Sequence, residues 1–173
     1  VVLSANRLTL RGGHMNLFRW TAVAGVLIGI GACGDAVAPE TSTRVGDIQL
    51  TLSASAAEVK RGAPVTFQVK LVNEGSEAAT LHFSNSCQIV PTIRNSLGEY
   101  VLPTGGWWGC LTVLTQLTLV PGQPVVRDYV WTGSTEFQSE MPLLPLSPGK
   151  YFFTAKVPAA EATLTVTTQI TLK

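Results

Sequence analysis

Three cysteines carry most of the capacity for covalent chemistry in this 173-residue sequence. Cys33 ends an apolar run near the amino terminus, whereas Cys87 and Cys110 lie in a later segment rich in threonine, valine and leucine. A cysteine thiol can be acylated, can form a disulfide or can bind a metal ion. The residues that surround each cysteine indicate which of these reactions it undergoes.

The residues before Cys33 have the layout of a secretory signal peptide. The run 20–32 is apolar or small throughout, and Arg19 gives it a positive flank. Its 13 residues are too few for a transmembrane helix, which needs roughly 20. A positive start, a short apolar middle and a small-residue exit indicate a cleaved leader. We predict a signal peptide over residues 1–32, in which Met15 is a candidate for the true start.

The exit of this leader, Ile30-Gly31-Ala32-Cys33, resembles the lipobox of bacterial lipoproteins. The resemblance implies that the Cys33 thiol receives a diacylglyceryl group before cleavage on its amino-terminal side. A plain signal peptide, or a buried apolar helix with an incidental cysteine, is the alternative. A glycine follows the cysteine where an aspartate would resemble the inner-membrane retention signal, and this favours the outer membrane. We expect residues 33–46 to be the lipidated cysteine and a flexible tether, because they are small, polar and without apolar periodicity.

The remainder has the composition of one globular domain over residues 47–173. Removing residues 1–32 leaves nine Lys or Arg and eleven Asp or Glu, a net charge of −2. This balance lacks the basic surface that nucleic-acid binding requires, so we predict no nucleic-acid partner. The domain is long enough to bury a core of its own.

Apolar and polar residues alternate along most of this domain. The pattern is plain in 47–54, 65–71 and 163–172, where threonine often fills the polar positions. A period of two predicts strands with one face on a core and one in water. Turn residues separate further candidate strands at 78–83, 88–94, 99–102, 112–120, 125–131 and 150–157. Nine short strands without a helical period predict an all-β, antiparallel β-sandwich.

Cys87 and Cys110 form an even pair in a chain that we expect to be exported, where thiols oxidise. The segment between them contains a natural hairpin, IVPTIR-NSLG-EYVL, which brings the chain back towards its start. We predict a disulfide between them, worth about 3 kcal/mol by loop entropy. Two buried free thiols are the alternative. Zinc is disfavoured, because the mature chain offers a single histidine, His82, beside this pair.

The remaining side chains do not form a catalytic set. His82 alternates with Leu81 and Phe83, so we expect it to face water. The acidic residues are scattered, and Glu136 and Glu140 fall in a polar crossover. No GxSxG nucleophile motif occurs. We predict no enzymatic activity, no metal site and no cofactor.

Two adjacent tryptophans, Trp107 and Trp108, lie in a glycine-rich loop beside Cys110. Neighbouring residues of an extended chain point in opposite directions, so one ring should be buried and the other exposed. Aromatic side chains on a loop with little freedom are good anchors for a binding partner. We predict a protein-binding site at these tryptophans, with the alternative that both cap the open end of the sandwich.

The order of the segments VTFQVKLVNEGSEAATLHFSNS, IVPTIRNSLGEYV, TLVPGQPVVRDYVW and SPGKYFFTAKV resembles the BsuPI-type intracellular proteinase inhibitor domain. The resemblance covers roughly residues 60–158. The landmarks of the family fall here on Asn73, Phe83, Asn95–Gly98, Pro121–Gly122, Trp131 and Pro148–Tyr151. The resemblance implies an immunoglobulin-like β-sandwich and inhibition of a serine protease. It assigns no reactive loop, because no inhibitor motif matches residue by residue.

Together these features predict a lipid-anchored, extracytoplasmic, immunoglobulin-like sandwich that binds a protein partner. A serine protease is the partner that the resemblance implies, and the membrane is contacted through the lipid. The alternative is a structural module of the cell envelope without inhibitory activity.

Overall fold

The computed structural model describes residues 39–137 and 145–173. Within these two ranges the chain forms eleven strands and no helix: β1 (Glu40–Val45), β2 (Ile48–Ala54), β3 (Glu58–Val59), β4 (Val65–Asn73), β5 (Ala79–Phe83), β6 (Val90–Asn95), β7 (Tyr100–Leu102), β8 (Thr115–Leu119), β9 (Val125–Trp131), β10 (Gly149–Pro158) and β11 (Thr163–Leu172). In these ranges there is accordingly no helix of the length and apolarity that a membrane span requires. The predicted leader, Cys33 and Glu140 lie outside the described residues.

Two sheets make up the sandwich, and a short ribbon lies beside them. The first sheet has the order β1-β2-β4-β9, the second β3-β11-β10-β6-β7, and β5 pairs with β8. All pairings are antiparallel except that of β3 with β11. β2, β4 and β9 follow the A-B-E order of immunoglobulin-like sandwiches, and β11, β10 and β6 follow the G-F-C order. The predicted all-β, immunoglobulin-like antiparallel sandwich is confirmed.

The core lies between the two sheets and is built by the residues that alternation predicted. Every second residue of β2, β4 and β11 is buried. Phe67 of β4 and Phe153 of β10 stack across the core with ring centroids 4.1 Å apart. The Trp131 ring meets Tyr151 edge-on at 5.4 Å. These aromatic contacts join the sheets through large apolar surfaces, which dominate the stability of such a core.

The sheet begins earlier than the sequence predicted. Residues 40–46 were assigned to the flexible tether, but β1 pairs with β2 along its whole length, from Glu40 opposite Ser53 to Val45 opposite Ile48. Both faces of this edge strand are largely exposed, so it carries no apolar alternation and its order comes from backbone hydrogen bonds. Arg44 adds an ion pair with Glu74 at 2.8 Å.

One predicted strand is shorter in the structure. The interval 112–120 contains β8 only from Thr115 to Leu119. Residues 111–114 are exposed loop instead, because Leu111 is hydrogen-bonded to Ser86 and not to a strand. The two-residue strand β3 was also not predicted, since two residues are too few to show a period.

Candidate protein-binding site

The structure joins Cys87 to Cys110 in a disulfide, with Cα atoms 5.6 Å apart. Cys87 precedes β6, and Cys110 lies in the segment 103–114 that connects β7 to β8, which we call the bridged loop. The β6–β7 hairpin returns the chain to its starting point and so brings the two cysteines together. A crosslink at this position limits how far the bridged loop can move away from the sandwich.

Hydrogen bonds reinforce the crosslink on the side of the bridged loop that leads into β8. The Ser86 N–H donates to the carbonyl oxygen of Leu111 at 3.0 Å, and the Leu111 N–H donates to the Ser86 hydroxyl oxygen at 2.9 Å. The Thr115 hydroxyl donates to the carbonyl oxygen of Asn85 at 2.8 Å. The bridged loop and the first residue of β8 are therefore tied to residues 85–87 by a disulfide and three hydrogen bonds.

The two tryptophans of the bridged loop have different surroundings. Trp108 is half-buried, its indole N–H donates to the carbonyl oxygen of Pro91 at 2.7 Å, and its ring stacks on Phe137 with centroids 6.3 Å apart. Trp107 is 73 % exposed. Trp108 thus covers the end of the sandwich, which was the alternative for both rings, whereas Trp107 presents its ring to solvent.

Trp107 is not the sole apolar side chain that the bridged loop exposes. Leu111 is 70 % exposed and Leu114 is 84 % exposed, and Val113 between them is exposed as well. Four large apolar side chains in eight consecutive residues face solvent, on a segment held by a crosslink. Large exposed apolar groups of this kind mark interaction sites. Sequence reasoning missed Leu111 and Leu114, because Leu114 fell inside the predicted strand 112–120 and Leu111, just before that strand, was given no role.

A cleft of about 810 Å³ flanks the bridged loop on the side of Trp108. Tyr129 and Phe137 line it with Trp108, and Asp128 and Glu136 add carboxylates. Burial raises the pKa of the Tyr129 phenol above its usual 10.0, so this hydroxyl is neutral at physiological pH. Aromatic walls with carboxylates suit a partner side chain that has an apolar stem and a positive end.

The described residues do not assemble a metal centre. No group of three or more His, Cys, Asp or Glu is close enough to hold a metal ion in ranges 39–137 and 145–173. His82 is exposed, as the alternation predicted, and its Nδ1 lies 2.5 Å from a carboxylate oxygen of Glu161. The same carboxylate accepts the backbone N–H of His82 at 2.9 Å. This histidine links β5 to the loop before β11.

A family model of intracellular proteinase inhibitors, BsuPI, matches residues 50–162. The chain belongs to the BsuPI family. The BsuPI match runs from β2 to the loop that follows β10 and includes the whole bridged loop. The resemblance predicted from the sequence is confirmed, and the matched region extends further than the 60–158 on which the prediction rested.

Other comparisons of this BsuPI chain give only distant likenesses. None of the curated proteins is similar to it. A β-glucosidase from Erythrobacter marinus is 17 % identical with a TM-score of 0.40, over 79 % of this chain and 16 % of that one. The DNA glycosylase AlkC of Pseudomonas fluorescens is 12 % identical with a TM-score of 0.41, over 74 % and 31 %. The chain thus spans less than a third of the length of either.

Proposed function

We propose that this protein is a proteinase inhibitor that acts from a lipid anchor on the extracytoplasmic side of a bacterial membrane. The observation that carries the proposal is the BsuPI match over residues 50–162, which takes in most of the sandwich. Membership of an inhibitor family favours binding over catalysis.

The bridged loop is the surface that we assign to the target enzyme. Its exposed side chains, Trp107, Leu111 and Leu114 among them, provide apolar contact area. The disulfide and the bonds to residues 85–87 order the backbone before any partner arrives. A loop that is already ordered loses less conformational entropy when its partner binds. This entropy loss is a main determinant of affinity for a given contact area.

The proposed location rests on the leader and on the disulfide. The lipobox-like Ile30–Cys33 supplies the acylation site, and two acyl chains on one cysteine make a durable anchor. The disulfide between Cys87 and Cys110 suits an oxidising compartment such as the periplasm or cell surface, since cytosolic thiols are kept reduced. The proposed setting therefore differs from the intracellular one in the name of the family.

The inhibitory role is tested with the full chain, purified in detergent, against a panel of serine endopeptidases. We expect stoichiometric inhibition of at least one enzyme. Trp107→Ala should weaken it about tenfold or more, as expected of an anchor residue. Leu97, which is 81 % exposed in the β6–β7 turn, supplies the matched control, and Leu97→Ala should leave inhibition unchanged. If no enzyme of the panel is inhibited, the inhibitor proposal is rejected in favour of a structural envelope module.

The anchor is tested separately by labelling cells with radioactive palmitate. The wild-type chain should incorporate label, and Cys33→Ser should not. Cys110→Ser serves as the control that retains the label, because the proposed acylation involves Cys33 alone. Equal labelling of wild type and Cys33→Ser would reject lipidation at this residue.

A further inference from the structure

We propose that Leu114 is the side chain that enters the primary specificity pocket of the target enzyme, and that this enzyme is an endopeptidase with an uncharged, apolar pocket. The inference rests on the proposed inhibitory function and specifies how it is carried out. Such a pocket receives one side chain that projects from a segment bound along the active-site cleft. Of the four exposed apolar side chains of the bridged loop, Val113 is the smallest and the least exposed, at 49 %, which leaves Trp107, Leu111 and Leu114 as candidates.

The backbone before Trp107 is unsuited to that binding mode. Gly105 and Gly106 both have φ of +83°, which places the two preceding residues in the left-handed region instead of an extended conformation. A peptide that binds by strand addition must be extended at the residues next to the one in the pocket so that its main chain can pair with the enzyme. Gly106 directly precedes Trp107, whereas the turn that Val113 closes on Leu111 is centred on residue 112, two residues before Leu114. Gly106 also packs closely on Tyr100, since a Cβ on Gly106 would lie 2.7 Å from that ring, and its N–H donates to the carbonyl oxygen of Pro103 at 2.9 Å, which closes the turn. Trp107 can therefore add contact area but does not fit the specificity pocket.

The backbone of Leu111 is already occupied. Its N–H donates to the Ser86 hydroxyl at 2.9 Å, and its carbonyl oxygen accepts the Ser86 N–H at 3.0 Å. In a serine endopeptidase, the carbonyl oxygen of the residue in the specificity pocket must enter the oxyanion hole. Docking Leu111 would break the bonds that hold the bridged loop in place. Leu111 thus acts as an attachment point of the loop.

Leu114 is held from both sides and is the most exposed of the three, at 84 %. On one side, the Val113 N–H donates to the carbonyl oxygen of Leu111 at 2.9 Å and closes a tight turn. On the other, Thr115 begins β8, pairs with Phe83 and is bonded through its hydroxyl to Asn85. The Leu114 side chain is consequently presented to solvent between two fixed residues, so little freedom is lost when it binds.

The absence of charged side chains from the bridged loop indicates which class of specificity pocket it fits. Residues 103–114 contain no Asp, Glu, Lys or Arg. A trypsin-like pocket carries a buried aspartate and requires a cation, whereas a chymotrypsin-like pocket is an apolar slot. An aspartate buried against a leucine would remain unpaired, which is costly. The loop therefore fits endopeptidases that cleave after large apolar residues and does not fit those that cleave after Lys or Arg.

A change of specificity tests this assignment. The full chain and its variants Leu114→Lys, Leu111→Lys and Trp107→Lys are assayed against one endopeptidase with an apolar pocket that the wild type inhibits and against a trypsin-type enzyme. We expect Leu114→Lys to lose roughly 30-fold or more in affinity for the first enzyme and to gain inhibition of the second. Leu111→Lys should gain no trypsin inhibition. Circular dichroism and thermal unfolding of each variant confirm that the sandwich is intact.

The outcomes separate this inference from the proposed function. If the wild type inhibits and Leu114→Lys inhibits equally well while Leu111→Lys or Trp107→Lys switches specificity, the assignment of Leu114 is wrong and the inhibitor function stands. If the wild type inhibits no enzyme, both fail. If Leu114→Ser, which adds no charge, instead weakens binding of the unlipidated Cys33→Ser chain to phosphatidylglycerol vesicles without altering inhibition, the exposed leucine is a membrane contact and the inference is overturned.

Discussion

The indole nitrogen of Trp108 lies 2.7 Å from the carbonyl oxygen of Pro91 on β6. This hydrogen bond joins a side chain of the bridged loop to the five-stranded sheet, in addition to the disulfide at Cys110. The neighbouring Trp107 has no comparable burial and is 73 % exposed. The two adjacent tryptophans therefore have different roles. Trp108 positions the bridged loop, and Trp107 remains available to a partner.

We expect substitutions of the two tryptophans to act on different properties. Trp108→Ala should lower the free energy of unfolding by about 3 kcal/mol, because it removes a large, half-buried ring. Trp108→Phe should cost about 1 kcal/mol, through loss of the hydrogen bond to Pro91. Trp107→Ala should change stability by less than about 0.5 kcal/mol while it weakens inhibition. Urea unfolding followed by circular dichroism measures all three, and equal destabilisation by Trp107→Ala and Trp108→Ala would contradict this division.

The disulfide should contribute to both stability and inhibition. Cys87 and Cys110 are separated by 23 residues, and a crosslink that closes such a loop stabilises by about 3 kcal/mol in the loop-entropy model. We expect the double variant Cys87→Ala with Cys110→Ala to lose that amount in urea unfolding and to inhibit more weakly, because the bridged loop is less ordered.

Dithiothreitol provides the matched control for this prediction. It should lower the stability and the inhibition of the wild type to the values of the double variant and should leave the double variant unchanged. Full inhibition by the reduced wild type would show that the three hydrogen bonds to residues 85–87 order the loop without help from the crosslink.

Replacing Asn73 should destabilise the fold more than replacing most other polar residues. It is buried at the end of β4, donates to the carbonyl oxygens of Glu77 at 2.7 Å and Leu119 at 3.0 Å, and accepts the Gly75 N–H at 2.9 Å. Asn73→Ala leaves these groups unpaired and should cost about 2–3 kcal/mol. Asn73→Asp keeps the acceptor but sets a carboxylate against two carbonyl oxygens, so it should be no more stable than Asn73→Ala at neutral pH. Wild-type stability in the Asp variant would show that the two donated bonds contribute nothing.

The contact between Glu161 and His82 should make stability depend on pH in the acidic range. Hydrogen bonds from the His82 backbone N–H and imidazole lower the pKa of the Glu161 carboxyl from 4.5 to about 2. Because the folded-state pKa lies below the unfolded value, this stabilisation is complete above roughly pH 5 and is lost as the pH falls towards 2. Glu161→Gln should therefore melt below the wild type at neutral pH, and the difference should shrink on acidification.

Thermal unfolding from neutral pH to about pH 2 measures this convergence. Glu40→Gln, at an exposed position on the edge strand β1, serves as the control for removal of a carboxylate. If the Glu161→Gln and wild-type melting curves stay parallel over the whole range, the contact with His82 makes no contribution through the Glu161 carboxylate.

Most of the sheet strands could be predicted because the sandwich buries one face of each. In β2, β4 and β11 the pleat places alternate side chains in the core, so burial leaves a period of two in the sequence. β1 leaves no such trace, because it is an edge strand with both faces largely exposed and its backbone pairing is independent of side-chain type. Its residues therefore resemble a tether in composition.

The bridged loop was predicted in part. The cysteine pair and the two tryptophans indicated a crosslinked loop with one covered and one exposed ring. The exposure of Leu111 and Leu114 was not predicted, because consecutive apolar residues ordinarily indicate a buried strand. Their exposure depends on the contact between Ser86 and Leu111, which are 25 residues apart. Such a contact exists only once the β6–β7 hairpin has formed, and local periodicity contains no information about it.

The early start of β1 limits the distance between the β-sandwich and the proposed lipid anchor at Cys33. Only residues 34–39 separate Cys33 from the first paired residue, Glu40. Even a fully extended chain of that length reaches no more than about 25 Å. If Cys33 is acylated as proposed, the sandwich would be held close to the phospholipid headgroups, and any enzyme that it inhibits would be met at the bilayer surface.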